Sequence, residues 1–179
     1  MKKIGILALI IVIASAFAVK TLWTAVDTEN IVVNFKLTKE GTKGTFKGVE
    51  SSFEFDENNL GKASFSAIVQ VKTLSTENES RDEHLLSADF FDAEKYPTIV
   101  FKSESIEKSN KNGFIAKGKL TMKDKTFDVE VPFTLEKDKT GKSILAGKMD
   151  VSPSKYGVIQ GDKRKDEIVT VTVQIPFEN

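Results

Sequence analysis

The sequence predicts a mostly β protein, an antiparallel β-barrel of about eight strands with a short helical lid. Three observations carry this. Apolar residues alternate with polar ones from Asn30 almost to the C-terminus, the period of a strand with one face buried and the other wet. Turn-forming clusters separate the alternating runs, so neighbours in sequence pair as hairpins. The 179 residues suffice for one domain with a proper core but not for two of ordinary size. A two-sheet sandwich carries the same signature. The barrel is favoured because Gly118 and Gly147 fall on apolar faces beside phenylalanines, where a missing side chain either leaves room for a ligand or marks a tight corner of the sheet.

Taken in order, the chain opens on an address. Lys2 and Lys3 precede an uncharged apolar run from Ile4 to Ile13, and Ala14-Ser15-Ala16 and Ala16-Phe17-Ala18 follow as two small-x-small cleavage sites. This predicts a signal peptide over residues 1–18, cleaved after Ala16 or Ala18, and a mature domain over 19–179 that is periplasmic or secreted. The alternative is an uncleaved anchor, with an apolar stretch ending at Val19 that is slightly short for a membrane span.

The first strand is expected at Ile31, Val33, Phe35 and Leu37, the next around Phe53 and Phe55, and the clearest over Ala63, Phe65, Ala67, Val69 and Val71. Ile99, Phe101 and Ser103 form a shorter one. Phe114 to Met122, Phe127 to Leu135, Leu145 to Val151 and Val169 to Phe177 complete the set, the last alternating with β-compatible Thr170, Thr172 and Gln174. Between them lie Glu40-Gly41, Asn58-Asn59-Leu60-Gly61, Asn110-Lys111-Asn112-Gly113, Lys123-Asp124-Lys125 and Lys139-Thr140-Gly141. The segment from Ser75 to Pro97 breaks the alternation and reads as helix and lid. Thr76 and Glu79 have capping-box spacing, Asp82 and Glu83 suit the first turns, and Phe90 and Phe91 are placed to plug the rim of one barrel mouth. The late loop from Pro153 to Asp162 is long for a hairpin connection and is expected to edge this mouth or the opposite one.

Composition excludes several functions. Lys and Arg together number 26, as do Asp and Glu, so no excess positive charge draws the chain to nucleic acid. Cysteine is absent, which removes disulfides, thiolate metal sites and thiol nucleophiles. His84 is the only histidine, no Gly-x-Ser-x-Gly elbow occurs, and neither a P-loop nor a dinucleotide fingerprint is present. We therefore expect no enzyme, no catalytic residue, no metal and no cofactor. The aromatic set is 13 Phe against 2 Tyr and 1 Trp, apolar rings without a polar handle. They suit an interior that holds an apolar ligand or one that fills itself. Arg81, Asp82 and His84 on the expected helix are headgroup candidates, or a staple joining helix to barrel.

Leu74-Ser75-Thr76, Arg81-Asp82-x-His84-Leu85-x-Ser87-x-Asp89-Phe90-Phe91-Asp92 and Tyr96-Pro97-x-Ile99-x-Phe101-x-Ser103 resemble the polyisoprenoid-binding YceI-like proteins. Trp23, Asp27, Gly44-Thr45-Phe46, Gly118-x-Leu120-Thr121-Met122 and Tyr156-Gly157 support the resemblance, which covers nearly all of the mature chain. It implies an elongated lipocalin-like barrel and an exported binder or carrier of a long apolar lipid, a polyisoprenoid or isoprenoid quinone, acting between membranes or in envelope stress. Two positions depart from the family pattern. Thr28-Glu29-Asn30 replaces a His-Ser pair, and Asp150-Val151-Ser152-Pro153 lacks an arginine. The expected partner is thus an isoprenoid lipid or quinone, with membrane contact at most transient and a homodimer left open. The inward-facing ligand candidates are Phe35, Phe53, Phe65, Val69, Phe101, Leu120, Phe127, Val129, Met149, Val171 and Val173, with Leu85, Phe90 and Phe91 at the mouth.

Overall fold

Hydrophobic alternation closes the chain into a barrel. The computed structural model describes residues 24–25, 31–137, 139–159 and 164–178. The signal-peptide expectation, Thr28-Glu29-Asn30 and the end of the late loop lie outside these residues. Among the described residues, eleven strands form one antiparallel sheet. They are β1 (Thr24–Ala25), β2 (Val32–Leu37), β3 (Lys43–Phe46), β4 (Val49–Glu54), β5 (Ser64–Gln70), β6 (Leu74–Ser75), β7 (Thr98–Lys108), β8 (Phe114–Met122), β9 (Lys125–Lys137), β10 (Ser143–Val151) and β11 (Val169–Glu178). A single helix, α1 (Glu79–Leu86), lies between β6 and β7.

The eleven pieces make eight staves, because three staves are broken in two. β1 and β2 both pair with β11, at Ala25↔Phe177 and Val33↔Val173. β3 runs into β4 across Lys47-Gly48, and β5 into β6 across a 3₁₀ turn at Val71–Thr73. β4 pairs with β5 and β3 with β6, so the two broken staves lie side by side and close the ring. The break is tight: Gln70 N–H donates to Gly48 O at 2.7 Å, Gly48 N–H to Thr73 Oγ1 at 3.1 Å, and Thr73 Oγ1–H to Gln70 O at 2.6 Å.

The sequence expectation for strands holds in the long runs and fails where periodicity is interrupted. β7 continues to Lys108, beyond the expected end at Ser103, because a bulge between Ser103 and Ser105 inserts a residue. Ile99 and Phe101 are buried ahead of the bulge and Ile106 behind it, which shifts the period by one. β3 and β6 were not expected as strands, since four and two residues are too few to show alternation. Beside the bulge, a Cβ on Gly118 would sit 2.2 Å from Lys102 O. Gly118 therefore marks close approach of two strands. Gly147 is enclosed by Val173, Val131 and Leu145 side chains, so neither glycine opens space for a ligand.

The two ends of the barrel differ. At one end seven phenylalanines, Phe53, Phe55, Phe65, Phe101, Phe114, Phe133 and Phe177, all at most 8% exposed, form a continuous ring network. The other end carries α1, the β2–β3 hairpin, the β8–β9 hairpin and the late loop, and it is open inside.

Candidate functional site

An apolar cavity of about 510 Å³ occupies the lid end of the barrel. Its volume lies within the ~300–1,000 Å³ usual for small-molecule sites. Its walls come from seven staves. Val33, Phe35 and Leu37 of β2 point into it, as alternation requires, and Phe46 and Leu74 add the stretch where β3 meets β6. Val69, Ile99, Met122 and Val151 continue the wall through β5, β7, β8 and β10, and Val169 and Val171 of β11 complete it. Phe35 owes its position to Gly44, its cross-strand partner: a Cβ there would lie 2.3 Å from Phe35 Cζ, so the ring lies across the space the glycine leaves. Its neighbour Phe46 meets Phe91 of the lid edge-on at 6.0 Å, joining wall to roof through apolar contact.

The roof has two parts. Leu85, Phe90 and Phe91 come from the lid, and Pro153, Val158 and Ile159 from the late loop, which therefore edges the same mouth as the lid. Lys123 ties them together, its Nζ donating to Phe90 O at 2.6 Å and to Gly157 O at 3.2 Å. Beside this joint Tyr156 is buried, its ring edge-on to Phe127 at 5.1 Å, and burial raises the phenol pKa above its ordinary value. The hydroxyl stays neutral at physiological pH, so no phenolate enters this apolar corner.

The lid is held by polar bonds more than by packing. No residue of α1 is buried, and the helix covers only Glu79–Leu86, the remainder of the expected helical segment to Pro97 being turns. The N-cap is Asn78, whose side-chain oxygen accepts from Arg81 N–H at 2.9 Å. This corrects the capping box expected from Thr76 and Glu79. Thr76 is instead the buried knot beneath the helix. Its N–H and hydroxyl donate to Asp82 Oδ1 at 2.8 and 2.5 Å, and Arg81 Nε and Nη2 donate to its hydroxyl and carbonyl oxygens at 2.7 and 2.9 Å. Asp82 is thus committed to a staple, and Arg81 both staples and lines the cavity rim. Thr76→Val removes the hydroxyl from this knot and leaves Arg81 and Asp82 short of a partner, a loss of about 1–3 kcal/mol. We expect it to appear as faster amide hydrogen exchange over residues 79–97, with the barrel strands unchanged.

The rim carries the polar groups. His84 lies exposed over Phe90, rings edge-on at 4.9 Å, with Nε2 4.0 Å from Asp89. Across from it Arg164 Nε pairs with Glu40 Oε1 at 3.0 Å, and both side chains line the rim with Thr42, Asn78 and Ser80. The hairpin bearing Glu40 is fixed to the segment just ahead of β11 by buried Glu167, whose Oε1 accepts from Lys39 N–H at 3.0 Å. Among the described residues, no three His, Asp or Glu side chains are grouped as metal ligands.

Of the residues singled out from sequence, Phe35, Val69, Leu85, Phe90, Phe91 and Val171 line the cavity, with Arg81 and His84 at its rim. Phe53, Phe65, Phe101 and Leu120 are buried in the core beyond it. Val129, Met149 and Val173 pack half-buried against that core, and Phe127 is 41% exposed beside Tyr156. Sequence reasoning missed Leu37, Phe46, Ile99, Met122, Val151 and Val169 as cavity residues, and the Glu40–Arg164 pair altogether. The late loop expected from sequence, Pro153 to Asp162, stops two residues short of Arg164.

Known proteins share this architecture. The Burkholderia cenocepacia protein BcnA superposes with a TM-score of 0.76 at 24% identity, over 86% of this chain and 99% of that one. A polyisoprenoid binding domain from Saccharophagus degradans, implicated in plant cell wall breakdown, superposes with a TM-score of 0.60 at 9% identity, over 88% of this chain and 98% of that one. At these identities the likeness is one of fold. In sequence, a UPF0312 protein of Vibrio cholerae is 32% identical over 130 residues, 70% of this chain and 69% of its own length. Protein YceI of Escherichia coli is 34% identical over 111 residues, 60% of this chain and 56% of its own. The profile of the YceI-like domain matches residues 23–178. From first strand to last, this chain belongs to the YceI-like family.

Proposed function

We propose that this protein is an exported carrier that binds the tail of an isoprenoid lipid, such as an isoprenoid quinone, inside the lid end of its barrel. The observation that carries this reading is the 510 Å³ cavity, with aliphatic and aromatic walls and with its charged groups confined to the rim. A tail entering it leaves water and gains about 25 cal/mol for each Å² of apolar surface covered, with no chemical step required. The rim groups Arg81, His84, Arg164 and Glu40 are placed to meet a polar headgroup while the tail stays in the wall. The isoprenoid class is supported by the resemblance of the Arg81-to-Ser103 segment and by the fold shared with the Saccharophagus degradans domain. Carriage between membranes or a part in envelope stress, with transient membrane contact and as monomer or homodimer, belongs to the same reading. So does export, which rests on the Lys2-Lys3 and Ile4–Ile13 pattern and predicts a mature N-terminus at Phe17 or Val19.

Native mass spectrometry of protein gently purified from its own compartment tests the binding. The expected result is a lipid-sized mass adduct, lost on solvent extraction. Protein that carries no extractable lipid and takes up no added isoprenoid quinone sinks the proposal and leaves a barrel with a purely structural or interaction role.

A further inference from the structure

Of the barrel's staves, β9 alone contributes nothing to the cavity wall. Its ladder with β10 runs from Ser143↔Lys137 to Gly147↔Phe133 and stops there, although β9 reaches back to Lys125 and β10 on to Val151. The next pair in that register would set Lys148 against Pro132, whose nitrogen has no hydrogen to donate. Beyond it the two strands part, β9 staying with β8 as far as Met122↔Lys125 and β10 with β11 as far as Val151↔Val169. Burial records the opening. Lys125 to Asp128 are exposed on both faces of β9, and Val129 and Met149, which alternation points inward, are only half-buried. Phe127, at 41%, is the most exposed large apolar side chain among the described residues.

The late loop fills this seam. Its 3₁₀ turn, Pro153–Tyr156, packs on β9 with Tyr156 edge-on to Phe127 at 5.1 Å, while Pro153 and Val158 line the cavity. A single turn of chain therefore separates the cavity from the apolar lip outside. Among the described residues no backbone hydrogen bond joins this turn to β9, and side-chain bonds hold it, from Lys123 Nζ to Gly157 O and from the Ser154 hydroxyl to Arg164 O. An open strand edge invites pairing with another chain, but Asp128, Glu130 and Pro132 oppose that here. The apolar lip and its nearness to the cavity suit a hydrocarbon tail instead.

We propose that the seam between β9 and β10 is the port through which a lipid tail passes sideways from a membrane into the cavity, received by Phe127, Val129 and Met149 and admitted as the Pro153–Tyr156 turn swings out. This rests on the reading of the cavity as a lipid site and adds the route of entry. A tail on this route slides along apolar side chains and is never wholly exposed to water, whereas a path over the charged rim exposes it.

The chain has no cysteine, so cysteines introduced as Glu130→Cys and Asp150→Cys, which face each other if the Gly147↔Phe133 register is continued, can be joined across the seam by a bifunctional methanethiosulfonate that reductant removes. The mature protein is mixed with phosphatidylcholine vesicles doped with menaquinone, separated at timed intervals, and its quinone extracted and quantified. Joining the lips is expected to slow initial uptake at least about tenfold, with recovery on adding reductant and the same final amount bound. The same crosslink between Asn34→Cys and Thr172→Cys, paired across the intact β2–β11 seam, is expected to leave the rate unchanged. Phe127→Ser, at an exposed position, decides if the seam crosslink does not form, and is expected to slow uptake at least about threefold by removing the lip. Uptake unaffected by the seam crosslink, or slowed equally by both crosslinks, overturns the port, as does unchanged uptake by Phe127→Ser where that variant decides. In each of these cases the lipid-binding reading stands. If the unmodified protein takes up no quinone, the binding reading itself fails and the port with it.

Discussion

Phe53→Ala is expected to lower the stability of the folded protein by about 3–5 kcal/mol, the largest loss from any single truncation we foresee. Phe53 is 2% exposed and touches four other rings, Phe55, Phe65, Phe133 and Phe177, at centroid distances of 5.3 to 6.0 Å. Removing it deletes apolar contacts and leaves a void that close-packed neighbours on rigid strands fill only in part. It does not border the cavity, so a folded Phe53→Ala protein should still take up lipid. Phe127→Ala makes the contrast. That ring is 41% exposed and its described ring contact is with Tyr156, so its loss should cost about 1 kcal/mol. Urea denaturation of the two variants measures the difference through the midpoint. Equal losses would mean that the inner rings are not the packed unit described.

Val171→Trp is expected to abolish lipid uptake with a far smaller change in stability. Val171 lies opposite Phe35 on β2 and Met149 on β10, and it lines the cavity in the middle of its wall. An indole there enters space a tail would occupy, while the cavity relieves the overpacking that otherwise costs about 1–3 kcal/mol in a filled core. At least a tenfold fall in lipid retained through purification, with a denaturation midpoint near wild type, is the expected pair of results. Unchanged lipid content would place the ligand somewhere other than this cavity. The comparison with Phe53→Ala separates the barrel's halves, since one change strikes stability and the other strikes binding.

Much of the barrel was legible because strand periodicity is a property of the local chain. Residues at every second position share a face, so Phe35, Phe53, Phe101 and Val171 are all identified as inward without any tertiary knowledge. Their height along the barrel axis is different. It depends on the register between staves, which pairs Val171 with Phe35 and Phe101 with Ala67 and Leu120. Alternation carries no information about that register, so cavity wall and phenylalanine network look alike in the sequence. The same limit explains the glycines, because only three-dimensional contact shows that Gly118 faces the Lys102 carbonyl and Gly44 the ring of Phe35. The lid was recognisable as a departure from alternation, but its anchoring was not. Thr76 and Asp82 are six residues apart, outside any helical spacing, and they meet only because Glu77, at φ 60°, turns the chain between them.

The joint between the first long strand and the last bears on how this barrel comes into being. β2 is held on one side by β11, with Val32 opposite Gln174 and Leu37 opposite Val169, so the ring is sealed by residues near opposite ends of the chain. Such a topology has high contact order. The entropy of a very long loop must be lost before that seam returns any favourable contact, which makes closure a slow, late event. Until the final strand has left the ribosome, β2 and β10 each present an unpaired backbone edge, and the chain remains open to pairing with other chains. While β11, Val169–Glu178, is withheld, β2 and β10 stay apart and the barrel stays open along this seam.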